Sequence, residues 1–364
     1  MTSPDDESIT KPRSFFELTR NELAAGLDRD FRATQLYEAV YQQWLDDFNS
    51  ITSLPKALRK SLGNTLDIRL PEIHRSFDSA DGTKRYLMRL SDGELAETVF
   101  IPDGDRNTIC VSSQVGCALA CTFCLTAQLG FVRHLTAGEI VSQVVMAQRV
   151  NVDPDPASRD HFNVVLMGMG EPLHNYDNVM KALAILHDVA GLGMSMSRVT
   201  LSTAGLVPEL ERLATEPLQP KLAISLTGAT GKTRDTLMPI NRTYPIPELV
   251  SVLRRFPVNP RRRITLEYVL LDGVTNTDKD AFALARIARS IPAKVNLIPL
   301  NESPDLDFKR PSENSVLRFQ RILREKDVDA FVRKSRGTDI SAACGQLKKN
   351  EVVAAIDLAA LRLD

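Results

Sequence analysis

Six strand-like runs alternate with six helix-like runs from residue 107 onward, and few folds accommodate that order. The patterning predicts strands at 108–112, 162–167, 198–202, 221–226, 264–270 and 294–300. It predicts helices at 137–150, 176–189, 208–214, 246–256, 278–289 and 313–325. Strands separated by helices pair in parallel, because each helix carries the chain back across the sheet. Six such units predict a partial (β/α)6 barrel in the α/β class. In that architecture the chemistry gathers at the carboxyl ends of the strands.

Small, polar and hydrogen-bonding residues stand at those ends. A cysteine loop follows the first strand and Gly168-Met-Gly170-Glu171-Pro172 the second. Ser202-Thr-Ala-Gly205 ends the third, Ser225-Leu226-Thr227-Gly228 the fourth, and Asn301 the sixth. The cysteine loop reads Cys117-Ala-Leu-Ala-Cys121-Thr-Phe-Cys124 and holds three of the chain's five cysteines. Three thiolates from one loop hold an iron–sulfur cluster with one iron left open to a substrate. Two alternatives use the same residues: a structural zinc site that adds Cys110, and a thioredoxin-like pair in Cys121-Thr-Phe-Cys124.

Upstream, residues 1–12 read as a disordered tail. Phe15-Phe16-Glu-Leu18 opens a helical region, with Gly26 closing the first helix. Leu36, Val40 and Trp44 form one helical stripe with Tyr37 and Tyr41 beside it, and Pro55 starts a further short helix. Two strands, 84–90 and 94–101, flank Ser91-Asp92-Gly93, a hairpin signal.

No apolar run is long enough to span a bilayer, and the acidic start Met1-Thr-Ser-Pro-Asp-Asp-Glu is unlike a secretory signal. Five clustered cysteines do not suggest a disulfide framework, so a reducing cytoplasm is expected. A net charge of −1 argues against a wholly basic nucleic-acid binder but leaves room for a local basic face. Basic clusters stand at Lys56/Arg59/Lys60, Arg254/Arg255, Arg261-Arg262-Arg263, Arg333-Lys334/Arg336 and Lys348-Lys349. Each alone is a solvated face; together they offer contacts to a phosphate backbone.

Gly168-Met-Gly170 lacks the third glycine of a dinucleotide fingerprint, because Leu173 stands there. A backbone passing close to a ligand fits better. Glu171 then holds a ribose hydroxyl or an ammonium, or simply serves as a helix N-terminal acid. Cys344 and Cys110 are either small buried residues or a nucleophile with its resolving thiol.

The cysteine spacing resembles the signature of radical S-adenosylmethionine (SAM) enzymes. Three runs narrow this: Cys110-Val-Ser-Ser-Gln-Val-Gly-Cys117, Gly168-Met-Gly-Glu-Pro172 and Ala342-Ala-Cys344-Gly-Gln-Leu347. They resemble the RlmN family of RNA adenine C2-methyltransferases from about Phe31 to Leu347. The resemblance implies that Cys117, Cys121 and Cys124 hold a 4Fe–4S cluster whose fourth iron binds SAM. It implies SAM contacts from Gly170, Glu171, Ser202, Ser225, Leu226, Thr227 and Asn301. Cys344 would carry a methyl group, Cys110 would resolve the protein–RNA adduct through a disulfide with Cys344, and Glu97 would be the general base. Two SAM molecules per turnover, 23S rRNA and tRNA as substrates, a flavodoxin- or ferredoxin-type electron donor and a monomeric state are implied in the same way. One departure is Thr227, where the family usually has His; another is Glu302-Ser-Pro-Asp after Asn301.

These readings predict a tail (1–12), an N-terminal helical RNA-binding accessory domain (13–70), a β-hairpin extension (71–106), the barrel (107–345) and a C-terminal segment (346–364). Three rivals remain: a Cfr-type adenine C8-methyltransferase, against which Pro172 counts; a zinc-stabilised RNA-binding protein; and a radical enzyme acting on protein.

Overall fold

The computed structural model describes residues 12–104, 107–152, 162–258 and 263–346. The expected tail up to residue 11, Arg261-Arg262, Leu347, Lys348-Lys349 and the C-terminal segment beyond Gln346 lie outside the described residues.

One sheet of ten strands organises the chain. In chain order its strands are β1 (Glu72–Asp78), β2 (Lys84–Arg89), β3 (Leu95–Ile101), β4 (Asn107–Cys110), β5 (Phe162–Leu166), β6 (Val199–Thr203), β7 (Lys221–Ser225), β8 (Ile264–Leu270), β9 (Ala293–Pro299) and β10 (Ala330–Val332). Spatial order follows sequence order throughout. Pairing is antiparallel from β1 to β4 and parallel from β4 to β10. The helices Ala137–Asn151, Tyr176–His187, Val207–Ala214, Ile246–Arg255, Asp278–Arg289 and Glu313–Glu325 alternate with the parallel strands as the patterning predicts.

The structure adds to the sequence reading in three places. The β extension has three strands rather than two, because β1 precedes the predicted hairpin. The row of parallel strands gains a seventh member in β10, only three residues long. The cysteine loop is itself the tip of a small hairpin, Gln114–Gly116 against Phe131–His134.

The N-terminal region also departs locally. Phe15 does not open the first α-helix; Phe15–Glu17 is a 3-10 turn, and Thr19 caps the helix Arg20–Ala25 through a capping box with Glu22. The second helix changes to π geometry at Glu38–Gln42 and is capped by Gln43, after which Trp44 has a φ of +59°. Trp44 therefore leaves the buried stripe that Leu36, Tyr37, Val40 and Tyr41 keep. Phe15, Phe16, Tyr37 and Tyr41 pack with ring centroids 5.1 to 6.0 Å apart. This aromatic cluster lies against the barrel helix Ala137–Asn151. A Cβ on Gly138 would come within 2.4 Å of Glu17. Arg20 pairs with Asp188 at 2.9 Å, and Lys181 with Glu22 at 2.7 Å.

Candidate active site

The site begins with register. Cys110 on β4 stands opposite Val99 on β3 and beside Val165 on β5. Side chains two apart on a strand share a face, so Glu97 lies on the face of Val99 and close to Cys110. On the next strand Arg85 pairs with Val99 and Leu87 with Glu97, which makes Arg85 and Glu97 diagonal neighbours. Arg85 Nη1 donates to Glu97 Oε1 at 3.3 Å, and both side chains are 1 % exposed. The Arg85 guanidinium also lies 4.1 Å from the centre of the Phe77 ring. A buried carboxylate needs such a partner to stay ionised.

Glu97, Cys110 and Cys344 line one cavity of about 460 Å³, and Lys334, Ser335 and Arg336 stand at its rim. A second cavity of about 180 Å³ adjoins it. This one is ringed by Cys117, Cys121 and Cys124, and by Gly170, Glu171, Ser202, Ser225, Thr227 and Asn301 from the strand ends. Cys124, Gly168, Asn301, Arg333 and Cys344 border both. Leu226 differs: its side chain is buried in the hydrophobic core, and its backbone N–H donates to Glu267 O at 2.9 Å.

The cysteine loop is held at its base. Gly116 and Gly130 both have φ of +74°, and Cys117 N–H donates to Gly130 O at 2.8 Å. Leu125 N–H donates to Gly345 O at 2.9 Å, tying the loop to the segment that carries Cys344. That segment hangs from the β extension. Asp339 accepts from Ser79 Oγ at 2.5 Å and from Ala80 N–H at 3.0 Å, while Gly337 N–H donates to Asp81 at 3.0 Å.

Glu171 borders the second cavity and caps a turn at once. Its carboxylate accepts from Leu173 N–H at 3.0 Å and from Ala204 N–H at 2.8 Å. Burial pushes its carboxyl up to about 7, against those two bonds. Gly168 and Gly170 line the cavity, but crowding on the protein side already demands glycine there. A Cβ on Gly170, where φ is +97°, would meet Gln114 at 2.5 Å, and one on Gly168 would meet Val111 and Ser112 at 2.8 Å. Thr227, at the departure from the family, is buried, and its hydroxyl accepts from Val269 N–H at 3.3 Å.

The donor set fits an iron–sulfur cluster. Burial pushes the thiols of Cys117, Cys121 and Cys124 up, and each feels the negative charge of at least one neighbouring cysteine. Three such thiols become thiolates together only around a cation. Cys117, Cys121 and Cys124 would hold the cluster, and Asn301 Oδ1, buried and without a hydrogen-bond partner among the described residues, aims a polar atom at the adjoining space. All five cysteines are free thiols, including Cys110 and Cys344. Burial pushes Cys110 up to about 12.

Three residues at the site escaped the sequence reading. Arg85 carries no motif, and only strand register brings it to Glu97. Arg333 read as part of a solvated basic cluster, yet it borders both cavities and faces Glu267 at 4.0 Å. Arg234 lies fully buried on a short helix whose last residue bonds to the cysteine loop; its only sequence signal is an arginine in that helix.

A parallel α/β barrel that gathers three cysteines and a row of polar strand ends around one cavity is the architecture of a radical SAM enzyme. Residues 111–285 match the radical SAM superfamily, and residues 16–68 match the ribosomal RNA large subunit methyltransferase N-terminal domain. A dual-specificity RNA methyltransferase RlmN from Geobacter sulfurreducens is 48% identical over 338 residues, covering 93% of this chain and 91% of the relative. Its counterpart in Rhodospirillum rubrum is 45% identical over 349 residues, covering 94% and 81%. The crystal structure of a radical SAM methyltransferase from Sphaerobacter thermophilus superposes with a TM-score of 0.86 at 45% identity, covering 93% of this chain and 99% of that one. The chain belongs to the RlmN family of radical SAM methyltransferases. Among the described residues, no helix is long and apolar enough to cross a membrane.

Proposed function

We propose that this enzyme methylates C2 of adenine in RNA, at the peptidyl-transferase-centre adenosine of 23S rRNA and at the adenosine 3′ of the anticodon in tRNA. The observation that carries the reading is the place of Cys344: it borders both the cavity ringed by the cluster cysteines and the one that holds Glu97 and Cys110. A sulfur at that junction can accept a one-carbon unit on one side and deliver it on the other.

Gly170, Glu171, Ser202, Ser225, Thr227 and Asn301 would hold SAM, with Leu226 left only its backbone carbonyl to offer, and Cys117, Cys121 and Cys124 would hold the 4Fe–4S cluster. When bound, these groups supply a 5′-deoxyadenosyl radical, which is the cofactor's own chemistry. Cys344 thiolate first takes the methyl group of one SAM, forming an S–C bond as the sulfonium bond breaks. Loss of a hydrogen atom from that methyl, to the radical made from a second SAM, leaves a carbon radical on the Cys344 sulfur. It adds to adenine C2, an electron-poor carbon that ordinary methyl donors do not alkylate. Glu97 accepts the C2 proton, and the surplus electron of the adduct would return to the oxidised form of the flavodoxin- or ferredoxin-class carrier, which restores the ring. Cys110 then attacks the Cys344 sulfur: an S–S bond forms, the S–C bond breaks, and the freed carbon takes a proton to become the methyl group. An electron donor of the flavodoxin or ferredoxin class, a monomeric protein and a cytoplasmic setting complete the proposal.

Cys110→Ala is the test. The variant should still methylate Cys344 and should accumulate RNA covalently attached there, visible as a shifted band and as a Cys344 peptide–adenosine adduct by mass spectrometry. Normal turnover by this variant would refute the two-thiol mechanism. Digestion of the wild-type product separates 2-methyladenosine from the 8-methyladenosine of the Cfr-type alternative.

A further inference from the structure

Arg234 has no part in the reaction described so far, yet it is fully buried. It lies on the helix Gly231–Leu237. Its Nη1 donates to Ser225 O at 2.9 Å and its Nη2 to Ala204 O at 2.7 Å, at the carboxyl ends of β7 and β6. Space for its backbone is made by Gly228, where φ is +96° and a Cβ would stand 2.9 Å from Arg234 Cα. The same helix is fastened to the cysteine loop: Thr122 N–H donates to Leu237 O at 3.0 Å. Leu237 and the following Met238 belong to a small apolar cluster with Ala204, Leu271 and Leu300, against which Cys121 and Phe123 pack. Among the described residues, no salt bridge reaches Arg234. A buried guanidinium without a counter-charge is strongly unfavourable. Two carbonyl partners and the Met238 sulfur, which accepts from Nη1 at 3.3 Å, do not demand a cation, since a neutral amide can donate to them as well.

We infer that Arg234 is the built-in counter-cation of the iron–sulfur cluster, a positioning residue whose fixed charge favours thiolate ligation by the cysteine loop and the reduced state of the cluster. The inference rests on the assignment of the cluster to Cys117, Cys121 and Cys124. Ser225 and Ala204, whose carbonyls Arg234 binds, both border the cavity ringed by Cys117, Cys121 and Cys124, so the guanidinium lies directly behind that cavity's wall. A positive charge at a cluster stabilises the state that has gained an electron, so it raises the reduction potential. The electron itself comes from the external one-electron donor.

The experiment compares Arg234→Gln, Arg234→Lys and Arg234→Met with the wild type, each as full-length protein. Cluster potential is read by a redox titration followed by electron paramagnetic resonance. Melting temperature is read with and without the reconstituted cluster. Gln keeps the amide donors and should shift the potential to more negative values, and Lys should restore it. Met should leave the cluster-free protein at least as stable as wild type, while the rise in melting temperature on reconstitution shrinks. Equal potentials in the wild type, Gln and Lys proteins would reduce Arg234 to a structural tie and overturn the inference. A wild-type protein that takes up no iron would instead sink the cluster assignment on which it rests.

Discussion

Gly116 and Gly130 have the same φ of +74°, but only one of them is hemmed in, and this asymmetry allows a controlled test of how the cysteine loop is held. A Cβ on Gly116 would lie 1.8 Å from Gly130 O, whereas one on Gly130 would meet nothing within 4 Å. Alanine at 130 therefore brings only the cost of left-handed backbone for an L-residue, about 1–2 kcal/mol. Alanine at 116 brings the same cost and must also push Gly130 O away by at least 1.2 Å to reach the 3.0 Å that real Cβ contacts keep. That carbonyl is the acceptor for Cys117 N–H at 2.8 Å, so the movement breaks the bond that seats the first cluster cysteine. An orphaned backbone donor adds about 1–3 kcal/mol, giving roughly 2–5 kcal/mol in all. The assay is iron and sulfide content after anaerobic reconstitution, with thermal melting of the cluster-free protein alongside. Gly130→Ala should keep a full cluster, while Gly116→Ala should lose most of it and melt at the lower temperature. Equal cluster content and equal melting in the two variants would refute the claim that the 116–130 contact sets the loop.

Glu171 gives a pH signature in the cluster-free protein. Its carboxyl is pushed up from 4.5 to about 7, so between these values the folded chain holds a proton that the unfolded chain has released. Its contribution to stability is fully present below the lower value and falls as pH rises through the window, by about 3 kcal/mol in total. Melting of wild type against Glu171→Gln from pH 4.5 to 8 should show this loss in the wild type only; parallel curves would contradict it. Asp339→Ala removes the two bonds that tie the Cys344 segment to Ser79 and Ala80. Cys344 is already exposed, so the readout is limited proteolysis: residues 337–346 should be cut several-fold faster in the variant, and an unchanged rate would show that the β extension does not hold this segment.

The barrel was legible because each of its central strands is a short apolar run bounded by polar residues, and each helix keeps one buried stripe. Elements below that threshold were not. β10 has three residues, too few to display a period. β1, Glu72–Asp78, exposes all but Ile73 and Phe77 and reads as a polar linker. The hairpin around the cysteine loop closes through the backbone of Gly116 and Gly130, which leaves no hydrophobic pattern. At the site, the residues whose chemistry is local were readable: the cysteines by their spacing, and Glu171, Ser202, Ser225, Thr227 and Asn301 by their place after strands. Residues that act through distant partners were not. Arg85 reaches Glu97 only through the β2–β3 register, Arg333 faces a carboxylate from another strand, and Asp339 hangs from a turn 260 positions away. Gly168 and Gly170 show the limit from the other side. Their glycine character was read as room for a ligand, whereas packing against Val111, Ser112 and Gln114 already requires it.

The most direct measurement follows a single carbon. Reconstituted enzyme is charged on Cys344 with SAM whose methyl group is carbon-13, freed of that SAM, and then given unlabelled SAM, reductant and RNA. The account predicts that the first product is 2-methyladenosine bearing carbon-13, and that the label leaves Cys344 in step with its appearance. Label that stays on Cys344 while unlabelled methyl reaches the RNA would contradict it.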